Sequence, residues 1–288
     1  MAATIPIAPE LVAFVTRGHH VSDLTIRSGD WPLAATACGQ NPRLVFLHPG
    51  VGDRRCWHEV MAILATDHSA VAYDRRGFGD TPAADAPFVD TDDLQAVLDA
   101  CVTRPAVLVG NSQGGRIAID FAILRPDRVE RLVLIAAAIS GSPDPDWDAE
   151  LGQELVEAIE AAEEREDLDE VNRCEALVWL DGAAGPEGRI GGPVRKLFHA
   201  MNLVVLRNES APGPIEPPSA YEHLERLAMP VLVIVGALDL PYQRAGARAL
   251  AERLPNARLV ELGGMAHLPQ LEAPDTVASL IKEFLALE

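Results

Sequence analysis

The sequence predicts an α/β fold: a mostly parallel central sheet of about eight strands flanked by helices, with a helical cap inserted after the sixth strand. Three observations predict it. Short apolar runs alternate with amphipathic stretches from residue 20 to about 138, and again from residue 230 to the end. Several of these runs, such as Leu132-Val133-Leu134-Ile135 and Val231-Leu232-Val233-Ile234-Val235, are apolar throughout, as parallel strands covered on both faces should be. Between the two alternating regions, residues 141 to 222 lose the strand pattern.

Residues 21 to 27, 32 to 38 and 43 to 48 read as strands, residues 55 to 66 as a helix, and residues 69 to 74 as the fourth strand. A helix over 91 to 102 leads to a fifth strand over 105 to 111, bounded by Pro105. The helix over 113 to 125 places Ile117, Ala118, Phe121 and Ala122 on one face. Residues 130 to 138 form the sixth strand. The inserted segment opens with a helix on which Trp147, Leu151, Leu155, Ile159 and Ala162 recur at helical spacing. A strand over 230 to 236, a helix over 242 to 254, a strand over 257 to 262 and a helix over 274 to 286 complete the pattern. Residues 1 to 18, with Leu11, Val12, Phe14 and Val15, are expected to pack as a short helix. The expected organisation is a core domain of residues 1–140 and 223–288 and a cap of residues 141–222.

A chain of 288 residues with 48% hydrophobic content can bury one large core. No apolar run approaches the roughly 18 residues that span a bilayer, and the first ten residues lack the basic flank of a secretory signal. A cytoplasmic location with no membrane partner is expected, as a monomer or homodimer. Cys38, Cys56, Cys101 and Cys174 are widely spaced and without companion histidines at ligand spacing, so they read as ordinary thiols and no metal is expected. The net charge of −19 argues against a nucleic-acid partner. Much of it is local: residues 144 to 170 hold 13 acidic residues against Arg165 alone, the pattern of a solvated helix face.

The chemistry centres on Gly110-Asn111-Ser112-Gln113-Gly114, a Gly-x-Ser-x-Gly turn between a strand and a helix. A serine hydroxyl becomes a useful nucleophile only when held in the open beside a base. Of eight histidines, His267 lies in the loop after the last strand, and Asp239 lies in the loop after the strand before it. In a parallel sheet both loops reach the carboxyl edge, where the serine turn also opens. The order Ser, Asp, His suits this architecture. Asp144 and Asp146 are the alternative carboxylates. Backbone amides must meet the oxyanion of a tetrahedral intermediate. One candidate is Gln113; the other lies in His48-Pro49-Gly50-Val51-Gly52. Pro49 has no amide hydrogen, leaving Gly50 first and then Val51.

These motifs resemble the α/β-hydrolase fold from about residue 20 to the end. Leu47-His48-Pro49-Gly50 resembles its oxyanion loop, with proline where glycine is commoner, and Tyr73 to Gly79 resembles its turn after the fourth strand. The resemblance implies acyl transfer by a Ser112, His267 and Asp239 triad, without a cofactor, on a carboxylic ester or lactone. Relatives that open haloalkanes or epoxides attack with an aspartate at this turn, and this chain has Ser112. Carbon–carbon bond hydrolysis of the meta-cleavage-product type and cofactor-free perhydrolysis are the alternatives. The Asn111 and Gln113 neighbours resemble ring-cleavage hydrolases, although Leu268 stands where those often carry tryptophan. A slow-turnover ligand receptor is a further possibility of a different class. Trp57 and Trp179 are expected to wall a pocket for a small neutral acyl substrate.

Overall fold

In the computed structural model, which describes residues 21–215 and 217–287, eight strands form a single sheet in the order β1-β2-β4-β3-β5-β6-β7-β8. They are β1 (Val21–Ser28), β2 (Trp31–Cys38), β3 (Leu44–Leu47), β4 (Ala70–Tyr73), β5 (Ala106–Asn111), β6 (Val129–Ile135), β7 (Val231–Gly236) and β8 (Ala257–Leu262). β1 and β2 form an antiparallel hairpin that joins the sheet antiparallel to β4; every other pairing is parallel. The helix expected within residues 1 to 18 lies outside the described residues.

The helices are α1 (His58–Leu64), α2 (Asp90–Cys101), α3 (Gln113–Leu124), α4 (Trp147–Leu151), α5 (Gln153–Glu164), α6 (Leu168–Ala176), α7 (Gly192–Arg207), α8 (Pro241–Arg253), α9 (Pro269–Glu272) and α10 (Pro274–Ala286). Alternation along the strands divides the core into two layers. Val45, Leu47, Leu108 and Leu134 pack with Leu94 and Leu98 of α2, Ile117 and Phe121 of α3 and Leu250 of α8. Leu44, Phe46, Val107 and Val109 face the other way, against Val60 and Leu64 of α1 and Ile281 and Phe284 of α10. Burial on both faces is why β3, β4, β5 and β7 carry no solvated side.

Two expectations need correction. The sixth strand ends at Ile135 rather than 138, because Ala136 turns into the left-handed region at φ 43°. The inserted segment does not open with one helix. Gly152, at φ 81°, breaks the run into α4 and α5, a conformation that costs glycine little. α4 to α7 form the helical insertion between β6 and β7. The acidic residues Glu154, Glu157, Glu160, Glu163 and Glu164 of α5 are exposed. Among the described residues no helix is long and apolar enough to cross a membrane.

Candidate active site

Ser112 sits between β5 and α3 with φ 52° and ψ −118°, a backbone conformation that non-glycine residues rarely hold. Close packing enforces the turn. A Cβ on Gly114 would lie 2.2 Å from the Leu47 carbonyl oxygen, and one on Gly110 would lie 2.4 Å from the Gly114 oxygen. Both sites therefore require glycine. The Ser112 amide donates to the Ile135 carbonyl at 2.9 Å, which ties the turn to the end of β6. Ser112 caps α3 without a side-chain hydrogen bond to the helix.

His267 and Asp239 come together, both buried, with His267 Nδ1 2.9 Å from Asp239 Oδ2. The bond orients the ring and, with the proton on Nδ1, leaves Nε2 able to accept one. Asp239 is further held by accepting the Leu240 amide at 2.8 Å. Asp146, an alternative carboxylate in the sequence, instead caps α4 by accepting the Ala149 amide at 3.2 Å. Asn111, next to the serine, joins the two halves of the site. Its Nδ2 donates to the carbonyls of Ile135 (2.9 Å) and His267 (3.2 Å), and its Oδ1 accepts from Gln270 Nε2 at 2.8 Å.

The oxyanion candidates are also neighbours. Gly50 backs onto the Gln113 side chain, where an added Cβ would lie 3.0 Å from Gln113 Cδ. Gln113 opens α3, so its amide has no partner within the helix and lies at the positive end of the helix dipole. Behind the loop His48 is wholly buried, with Nε2 accepting the Arg75 amide at 3.0 Å and Nδ1 2.8 Å from the Pro49 carbonyl oxygen. Burial and the nearby Arg75 charge hold its pKa well below the usual 6.5.

The two tryptophans part company. Trp57 is fully buried, 5.0 Å from Phe46 in the core, because the turn Arg54–Trp57 docks α1 onto the sheet. It walls no pocket. Trp179 lies with its ring 4.7 Å from that of His267 and 6.5 Å from Trp147 in an edge-on arrangement.

A family model described as the alpha/beta hydrolase family matches residues 44–280. The chain belongs to this family. It is 33% identical over 261 residues to the 2-hydroxymuconate semialdehyde hydrolase of Pseudomonas sp. strain CF600, covering 84% of this chain and 86% of that one. It is 25% identical over 255 residues to the pimeloyl-[acyl-carrier protein] methyl ester esterase of Aeromonas hydrophila, covering 86% and 96%. Among solved structures, the esterase RhEst1 from Rhodococcus sp. ECU1013 superposes with a TM-score of 0.75 at 24% identity, covering 93% of this chain and 99% of that one. Est816, described as an N-acyl homoserine lactone degrading enzyme, gives 0.73 at 23%, covering 91% and 100%. Both likenesses are of fold.

In this alpha/beta hydrolase the insertion reaches the histidine loop through Trp179, singled out in the sequence, and through contacts of Arg189 that sequence reasoning missed. Trp179 lies on a π-helical turn, Leu177–Gly182. Arg189 bonds the Leu180 and Asp181 carbonyls of that turn, each at 2.7 Å, and the Gly264 carbonyl of the histidine loop at 2.9 Å. Its Nη2 also lies 2.7 Å from Glu272 Oε2. Glu272 in turn accepts the Ala266 amide at 2.8 Å. An arginine in a polar loop has no periodicity to mark it, so only the fold identifies this latch.

Proposed function

We propose that this hydrolase cleaves a carboxylic ester or lactone through an acyl-enzyme, with Ser112 as nucleophile, His267 as general base and then acid, and Asp239 as the orienting carboxylate. The observation that carries the reading is the 2.9 Å bond between His267 and Asp239, in a loop that Asn111 ties to the serine turn. In the first step Ser112 Oγ attacks the carbonyl carbon and passes its proton to His267 Nε2. The oxyanion accepts from the Gln113 amide and from that of Gly50 or, as the alternative, Val51. Collapse expels the alcohol, which takes the proton back from His267. Water, deprotonated by the same imidazole, then attacks the acyl-enzyme and releases the acid and Ser112.

The substrate is a small neutral acyl compound, turned over in the cytoplasm by a monomer or homodimer without a cofactor. A cleft of about 660 Å³ beside Trp179 supports neutrality, since Trp147, Leu151 and Ile159 share its lining with Glu160, Glu163 and Glu175. Carboxylates at that rim repel an anionic acyl group. A second reading, carbon–carbon hydrolysis of a ring-cleavage product, is favoured by the 33% identity to the Pseudomonas hydrolase.

The test is steady-state turnover of short and medium p-nitrophenyl esters, an aryl ester, several lactones and 2-hydroxymuconate semialdehyde, with wild type beside Ser112→Ala. Multiple turnovers on esters or lactones, lost in the variant, are expected. Turnover confined to the semialdehyde would replace the esterase reading with the second. Cleavage that stops at one equivalent would point to a ligand receptor.

A further inference from the structure

We infer that Arg75 is a positioning residue for the oxyanion site, fixing the two backbone segments that carry its amides and placing a positive charge behind them. The inference rests on the serine-hydrolase reading above.

Arg75 follows β4, and its side chain is buried. Nη2 donates to the Pro49 carbonyl at 3.1 Å and Nη1 to Gln113 Oε1 at 2.9 Å. Its backbone amide donates to His48 Nε2, so the His48 proton sits on Nδ1 and is given to the same Pro49 carbonyl. Pro49 is thus held directly by Arg75 and again through the histidine that Arg75 orients. In a trans peptide the N–H points opposite to the C=O in one plane. Pinning the Pro49 oxygen therefore fixes the direction of the Gly50 N–H. The same guanidinium restrains Gln113, whose amide is the other donor and whose side chain packs against Gly50. One side chain sets the relation between the two donors.

The charge is as telling as the bonds. Nearby arginines are each paired: Arg54 with Asp74, Arg76 with Asp93 and Arg116 with Asp90. Arg75 makes no ion pair among the described residues, its Nε is buried without a partner, and its guanidinium lies 4.1 Å from the centre of the Phe78 ring. A buried cation without a direct ion pair is costly to hold, and the Asp90 carboxylate that offsets part of that cost is itself paired with Arg116. The cost falls when negative charge develops nearby, and the tetrahedral oxyanion supplies that charge only during reaction. Arg75 therefore favours the intermediate over the neutral ester, the differential effect that accelerates a reaction.

The experiment compares Arg75→Met, Arg75→Gln and Arg75→Lys with wild type, after thermal melting shows which variants fold. It measures kcat and KM on the best ester and inhibition by phenylboronic acid, which forms a tetrahedral anion on the serine oxygen. Arg75→Met is expected to lower kcat about 100-fold with KM within about threefold, and to weaken the boronic acid in parallel. Arg75→Lys, which keeps the charge, should recover about tenfold over Arg75→Gln, which does not. Should Arg75→Met not fold, the Lys and Gln pair decides alone. A kcat within about threefold of wild type in Arg75→Met or Arg75→Gln overturns the inference, as does equal boronic acid affinity in the Lys and Gln variants. Wild-type turnover that survives Ser112→Ala would sink the serine-hydrolase reading and this inference with it. Turnover abolished by Ser112→Ala but indifferent to Arg75 sinks the inference alone.

Discussion

The backbone carbonyl of His267 is held by the side chain of Asn111, 3.2 Å from its Nδ2, so the residue just before the serine carries the loop of the histidine. The same amide group reaches the Ile135 carbonyl at the end of β6 and accepts from Gln270 in α9. Three strand ends are thus registered through one wholly buried side chain.

Replacing Asn111 with Ala leaves those buried groups unsatisfied and should cost about 1–3 kcal/mol of stability. Because the histidine loop loses its tether to the serine turn, kcat should fall more than KM changes. Urea denaturation and steady-state kinetics of Asn111→Ala check both; a variant as active as wild type would show that the tether is dispensable.

Asp239→Asn preserves the side-chain shape but favours the wrong imidazole tautomer. By analogy with serine proteases, kcat should fall roughly 10⁴-fold. The fold should be unaffected, as read by circular dichroism. Full activity in this variant would mean that another carboxylate serves His267.

Arg189→Ala should disconnect the turn bearing Trp179 from the histidine loop. It removes four contacts, to Leu180, Asp181, Gly264 and Glu272. Leaving Glu272 without its cation should cost about 3 kcal/mol. If Trp179 shapes the acyl pocket, KM for longer acyl chains should rise more than for acetate. A KM series parallel to wild type would separate the latch from specificity.

Acidification should act through the buried imidazoles. His58 is lowered to about 4, chiefly by burial, and His48 well below 6.5 for the same cause. Unfolded, both titrate near 6.5, so below that pH the unfolded chain gains protons that the native one refuses. Their contribution is full above about pH 6.5 and is lost as the pH falls toward 4. Asp74, raised to about 7 mainly by burial, works in the opposite direction, so the wild-type slope alone decides nothing. The discriminating quantity is a difference: His58→Gln should gain stability relative to wild type between pH 6.5 and 4.5 in urea titrations.

The sheet and the three candidate triad positions were legible because each rests on a local signal. Continuous apolar runs mark buried strands, the glycines around Ser112 mark a turn with no room for a Cβ, and loop position after a parallel strand places Asp239 and His267 at one edge. The break at Gly152 was not legible, since apolar spacing continues through it from Leu151 to Leu155. The packing of Trp57 on Phe46 was not legible either, since an aromatic residue near the oxyanion loop suits a pocket wall and a core position equally. Arg75 and Arg189 act through contacts distant in sequence, with partners 38 and 75 residues away, and no periodicity encodes those.

Ser112 as the nucleophile is tested by labelling with a fluorophosphonate, followed by mass mapping of the modified peptide. One phosphonyl group per chain is expected, on Ser112, with labelling and ester turnover lost in step. Labelling should be absent in Ser112→Ala and greatly slowed in His267→Asn. A catalytically active chain that takes up no label, or takes it at another residue, would rule out Ser112 as the nucleophile.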